Sequence, residues 1–137
     1  MAVIEAGNLT KNFYLGKTLI QALKGVDFTI EAKEFVAIAG PSGSGKTTLL
    51  NLLGCIDVPS SGTLRMDGLD LTGLSSNQLA DLRYKKLGFV FQTFNLIPVL
   101  SAFENVEYPL LKQKLSKDER KERVTDALRE VGLLDQR

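Results

Sequence analysis

The sequence predicts an α/β fold that gives way to helices towards its end, and three observations predict it. Phe35-Val36-Ala37-Ile38-Ala39 is an unbroken apolar run, the pattern of a strand buried on both faces in the middle of an α/β sheet. A glycine-rich turn follows at residues 40–45, and Lys46–Leu53 after it reads as a helix. From Ser101 onward, serines followed three residues later by Glu open helices and no strand pattern recurs.

The elements follow in order. Val26, Phe28 and Ile30 alternate with Asp27, Thr29 and Glu31, a period of two that predicts a strand with one wet face. Residues 35–39 form the doubly buried strand, and the helix 46–53 is closed by Gly54. Residues 59–62 (PSSG) make a turn. A short strand at 63–66 runs into a second turn at Asp67-Gly68. Ser75 with Gln78 is a capping box for a helix reaching about Tyr84. Residues 87–91 are a short apolar strand. Ser101 with Glu104 caps another helix, which Pro109 ends or kinks. Ser116 with Glu119 opens the clearest helix, with Val124, Ala127, Leu128 and Val131 on one face and Gly132 closing it. Its charged face, residues 117–123, reads as solvated surface. The change from α/β to helical character falls at residues 92–98.

The overall balance is that of an ordinary soluble protein. The 137 residues are 44% hydrophobic and 24% charged, enough for one domain with a core of its own. A net charge of +1 gives no reason to expect nucleic acid or an anionic surface as partner. The single cysteine, Cys55, excludes a disulfide framework and reads as a small buried hydrophobe. There is no histidine, so the commonest general base and metal ligand is missing. No apolar run approaches the roughly 18 residues that span a bilayer, and the N-terminus does not read as a signal peptide. These features predict a cytoplasmic location, with any membrane link supplied by a partner.

The chemistry is concentrated in Gly40-Pro41-Ser42-Gly43-Ser44-Gly45-Lys46-Thr47, which fits G-x-x-x-x-G-K-[ST], the P-loop pattern. Polyphosphate is dense negative charge that must be wrapped at close range. Glycines let the backbone approach and take positive φ. Successive N–H groups then converge as an anion nest, and a helix starting near Gly45 adds the positive end of its dipole. Lys46 supplies a compact charge for the β- and γ-phosphates. The Thr47 hydroxyl is a hard oxygen suited to Mg2+. Thr48 is placed to donate to an outer phosphate. The strand pattern before the loop and the helix pattern after it are the context this mechanism requires. A dinucleotide-binding loop is disfavoured, because the glycine spacing is wrong for G-x-G-x-x-G. The expected ligand is therefore a nucleoside triphosphate, ATP, with Mg2+.

Further segments carry a family resemblance. Asn8-Leu9-Thr10-Lys11-Asn12-Phe13, Ala22-Leu23-Lys24-Gly25-Val26, the P-loop and Gly88-Phe89-Val90-Phe91-Gln92 stand in the order and spacing of an ABC transporter ATPase. Residues 88–110 (GFVFQTFNLIPVLSAFENVEYPL) resemble the subgroup that powers lipoprotein release, macrolide export and the cell-division ATPase paired with an FtsX-type permease. The resemblance runs from about residue 3 to the end. It implies a P-loop NTPase fold, a RecA-like core with an antiparallel β subdomain. Residues 1–92 would be the nucleotide-binding core and 93–137 the start of a helical subdomain. Phe13 would stack on adenine, where the family more often has Tyr; Tyr14 is its neighbour, and the plainer alternative for either is an edge-strand aromatic. Gln92 would touch Mg2+ or the attacking water and sense the permease; otherwise it is a polar residue ending a strand. Residues 93–107 would face an integral membrane permease subunit. Phe94, Leu96, Ile97, Val99 and Leu100 suit that surface and equally suit a core. The complete protein would work as a homodimer, peripheral on the inner face of the cell membrane.

Some of the family's parts are not found. No apolar run is followed by Asp-Glu to hold Mg2+ and polarise water, and no LSGGQ-like signature or switch histidine is present. The nearest string, Gly132-Leu133-Leu134-Asp135, has Gln136 in place of Glu and reads as a loop. The expectation is the N-terminal part of an ABC ATPase, which binds ATP and turns over little by itself. Two other readings compete: a non-hydrolytic nucleotide-binding or permease-interaction piece, and another P-loop enzyme. No N-K-x-D guanine motif supports a GTPase. The arginines cluster only late in the chain, at Arg120, Arg123, Arg129 and Arg137, which does not support the lid of a small-molecule kinase.

Overall fold

A computed structural model describes residues 1–134. The final residues, including Asp135, Gln136 and Arg137, lie outside it. The chain forms two compact units, Met1–Phe89 and Val90–Arg137.

The first unit is built on an antiparallel sheet. Strands β1 (Ala2–Leu15) and β2 (Thr18–Glu31) form a long hairpin. Helix α1 (Lys46–Leu53) follows, then the short hairpin of β3 (Ser61–Met66) and β4 (Leu69–Asp70) around Asp67 and Gly68. Helix α2 (Ser76–Lys86) completes the unit. The strand order is β2-β1-β3-β4. In β2, Val26, Phe28 and Ile30 are half-buried and the polar residues between them are exposed, as the alternation predicts. The inner face of the sheet and α1 close a core in which Leu9, Leu23, Leu52 and Leu64 are at most 5% exposed. Cys55 joins that core as a small hydrophobe, and burial pushes its thiol pKa up.

Two expected strands are not formed. Neither residues 35–39 nor residues 87–91 are assigned as strand among the described residues. Phe35 is 95% exposed and Val90 fully so. An apolar run becomes a buried strand only through neighbours on its edges and faces. The sheet that does form is antiparallel and uses other segments. Conversely, β1 is a long strand that the sequence anticipates only through the edge-strand alternative for Phe13 and Tyr14. It carries bulge-like register shifts on either side of Leu9. Its buried positions run Ile4, Ala6, then Leu9, Lys11, so the alternation slips by one residue midway.

Helix α1 ends where expected, with Gly54 at its C-cap, but the left-handed residue is the next one, Cys55, at φ 54°. Gly54 serves packing instead: a Cβ there would stand 2.8 Å from the Phe89 ring. Helix α2 opens with the Ser75/Gln78 capping box, both reciprocal bonds being present.

The second unit holds α3 (Ala102–Glu107), a 3-10 segment (Tyr108–Lys112) and α4 (Lys117–Glu130). Capping boxes form at Ser101/Glu104 and Ser116/Glu119. The 3-10 segment begins around Pro109, which cannot continue an α-helical ladder. Val124 and Leu128 of α4 are buried, and Arg120 Nε donates to Glu107 Oε1 of α3 at 2.9 Å. Asn105 of α3 ties down the loop that precedes the helix. Its Oδ1 accepts from the Ile97 N–H at 2.8 Å, and its Nδ2 donates to the Leu100 and Ser101 carbonyls at 3.0 Å.

Candidate functional site

The glycine-rich loop connects the extended segment 35–39 to α1 and takes the backbone shape its residues allow. Gly43 and Gly45 have φ of 78° and 90°, the left-handed region open to glycine at little cost, and Gly40 is also positive. Gly45 has a second reason to lack a side chain, since a Cβ on it would lie 2.5 Å from the Ala22 carbonyl oxygen of β2. The loop is thus pressed onto the sheet at the point where α1 begins.

Gly45 is the N-cap of α1, with no side-chain cap and no acidic residue in the first turn. The first backbone N–H groups of any helix lack partners within it, so this end presents donors and a positive dipole without competing carboxylates. Ser42, Gly43, Ser44, Gly45, Lys46, Thr47 and Thr48 line a cavity of about 310 Å3, together with Ile20, Gln21 and Ala22 of β2. Gly40 and Pro41 act differently. Their carbonyls each accept a hydrogen bond from Lys46 Nζ at 2.8 Å, so the lysine folds back and braces the loop.

Mg2+ and a triphosphate fit this donor set. Thr47 is exposed and lines the cavity. Among the described residues no group of three or more His, Cys, Asp or Glu could hold a metal by itself. A site with one hydroxyl, phosphate oxygens and water is the arrangement Mg2+ favours over an all-protein cage.

Phe13 lies in β1 and is 42% exposed. It stands opposite Ile20 in the β1/β2 ladder, one strand away from a cavity-lining residue. Tyr14, opposite Leu19, is more exposed still. Gln92 belongs to the second unit, in an exposed bend after Phe91. Phe94, Leu96 and Val99 are exposed and Leu100 is half-buried, so most of this apolar stretch does not serve as core among the described residues. Ile20, Gln21 and Ala22 are cavity residues that the sequence reading missed. Their one signal is position, just ahead of Leu23-Lys24-Gly25.

Comparison with known proteins gives the family and the fold. The family described as ABC transporter matches residues 23–137. The ABC transporter ATP-binding protein YvrO of Bacillus subtilis, described as uncharacterized, is 46% identical over 133 residues, 97% of this chain and 58% of that protein. The macrolide export ATP-binding/permease protein MacB of Marinobacter nauticus is 46% identical over 131 residues, 96% of this chain and 20% of that protein. Among solved structures, a dimeric post-hydrolysis state of the ATP-binding cassette MJ0796 bound to ADP and Pi superposes with a TM-score of 0.83. It is 44% identical and covers 92% of this chain and 56% of that one. The chain therefore spans little more than half the length of YvrO and MJ0796.

Proposed function

The chain belongs to the ABC transporter family, and from that premise we propose that it is the ATP-binding part of a subunit that hydrolyses ATP to drive a membrane permease. The observation that carries the reading is the loop itself. Gly43 and Gly45 at positive φ, the uncapped start of α1 and Lys46 border one cavity, which supports triphosphate binding there.

In this reading the N–H groups of residues 43–48 wrap the β-phosphate, and Lys46 exchanges the Gly40 and Pro41 carbonyls for phosphate oxygens. Thr47 holds Mg2+, which supplies charge neutralisation for phosphoryl transfer. Ser42, Ser44 and Thr48 donate to outer phosphate oxygens, and Phe13 stacks on the adenine. Gln92 reaches Mg2+ or the attacking water and reports the permease's state. Residues 1–92 act as the nucleotide-binding core and 93–137 as the start of the helical subdomain.

The exposed apolar side chains at 94, 96 and 99 support a role for residues 93–107 as the surface that meets an FtsX-like permease. No helix among the described residues is long and apolar enough to cross a membrane. The proposed place of work is the cytoplasm, at the inner face of the cell membrane, through that permease. The dimeric MJ0796 cassette supports a homodimer for the complete protein.

A second reading is binding without turnover. A fluorescent-ATP titration beside a phosphate-release assay separates the two. Saturable Mg-ATP binding with steady phosphate release supports an ATPase. Binding without release supports the second reading, and no binding by a folded chain rejects both.

A further inference from the structure

Lys11 is the buried charged residue among those described, only 8% exposed, and it stands on the strand that carries Phe13. Its ammonium donates to Asp57 Oδ1 at 2.6 Å and to the Val58 carbonyl at 2.8 Å. The same nitrogen lies over the Phe13 ring, 5.1 Å from its centroid. Asp57 and Val58 belong to the loop that leaves α1. That loop is fastened to the helix it leaves: the N–H groups of Ile56 and Asp57 both donate to the Asn51 carbonyl, at 2.9 and 3.2 Å. Asp57 Oδ1 also accepts from the Val58 N–H at 2.7 Å. A continuous chain of contacts therefore runs from α1, whose first turn borders the triphosphate cavity, through its exit loop and Lys11 to the face of Phe13.

We propose that Lys11 is a positioning residue for the base platform, fixing Phe13 relative to α1 so that base and phosphates are received in one register. This rests on the reading that Phe13 stacks on the nucleotide base. A buried ammonium is costly unless it is paired and hydrogen-bonded, and a buried ion pair is poor evidence of a stabilising role. Core packing alone would be served by an apolar side chain of similar length. What the ammonium adds is direction. It has a fixed carboxylate and carbonyl behind it and a ring in front of it. The cation also draws π density towards its own side of the ring, which makes the opposite face a better stacking partner for an electron-rich purine.

The test compares two ligands that differ by the base. Mg-ATP and inorganic tripolyphosphate are each titrated into the chain and into Phe13→Ala, Lys11→Met and the double variant, with melting curves establishing that each is folded. The proposal expects Lys11→Met to weaken ATP about threefold to tenfold and to leave tripolyphosphate within about twofold. In the Phe13→Ala background the same change should have no further effect on ATP. Asp57→Ala, which removes the anchoring carboxylate but keeps the ammonium, should give the same ATP-selective loss, and serves where Lys11→Met does not fold. Equal losses for both ligands would show a purely structural lysine and overturn the proposal. A loss in Phe13→Ala with none in Lys11→Met would overturn it while leaving base stacking intact. An unchanged ATP affinity in Phe13→Ala would remove the stacking role, and the proposal with it.

Discussion

The α-carbon of Gly45 lies so close to the Ala22 carbonyl that a methyl group on it would stand 2.5 Å from that oxygen. Its φ of 90° adds backbone strain for any other residue. Gly45→Ala should therefore cost more than the roughly 1–3 kcal/mol of a strained backbone alone and abolish triphosphate binding. Gly43 has a similar φ, but open space where its Cβ would go. Gly43→Ala should show the strain alone, at roughly 1–3 kcal/mol. Thermal melts of the two variants measure the difference, which belongs to the contact with β2.

Thr47 is expected to act through the metal. Thr47→Val keeps the shape and removes the hydroxyl, so it should weaken Mg-ATP binding and leave ATP binding in EDTA unchanged. Titrations with and without Mg2+ read this directly. An equal loss in both would assign the hydroxyl to phosphate instead.

Helix α1 is held by one face. Leu52 is fully buried and Leu50 is 55% exposed. Leu52→Ala should destabilise the fold by about 2–5 kcal/mol and Leu50→Ala by less than about 0.5 kcal/mol. Denaturant midpoints at constant slope provide the check.

The start of α4 should respond to acid. The Ser116 hydroxyl, then the Ser116 backbone N–H, holds the Glu119 carboxyl below its ordinary value of 4.5. A carboxyl whose pKa is lower in the folded state stabilises fully above the unfolded value, and that contribution is lost as pH falls through the folded value. Helical circular dichroism of the chain should fall with acid partly for this reason. Glu119→Gln keeps an acceptor without a titrating proton, so it should flatten that part of the pH profile.

Asn105 supplies both a donor and an acceptor to the loop before α3. Asn105→Ala leaves the Ile97 amide without its acceptor. Hydrogen exchange at that amide should accelerate by about tenfold or more, the equivalent of roughly 1.4 kcal/mol of local opening. Protection in α4 should be unchanged.

Local chemistry made much of this fold legible. The boxes at Ser75, Ser101 and Ser116 each depend on two residues a fixed distance apart, and each forms with both bonds. Asp67-Gly68 makes its turn for the same reason, and the loop at 40–47 is determined largely by its own glycines. What failed depends on distant partners. Residues 35–39 have the composition of a central strand but are not assigned as strand among the described residues, because such a strand needs neighbours that its own composition does not supply. Strand β1 was hidden by its own irregularity. The shifts around Leu9 move the buried positions from even to odd, and Lys11 then places a charge where an apolar residue is expected. The β2 wall of the cavity was hidden because Ile20, Gln21 and Ala22 contribute through position rather than chemistry.

Isothermal calorimetry of the 137-residue chain with Mg-ATP, beside Lys46→Ala and with GTP for comparison, tests the central claim most directly. Saturable binding of ATP that the variant loses is the expected result, since Lys46 brings the positive charge among the residues that line the cavity. Equal heats from the parent and Lys46→Ala, or none from a parent shown to be folded, would contradict a phosphate cradle at residues 40–47.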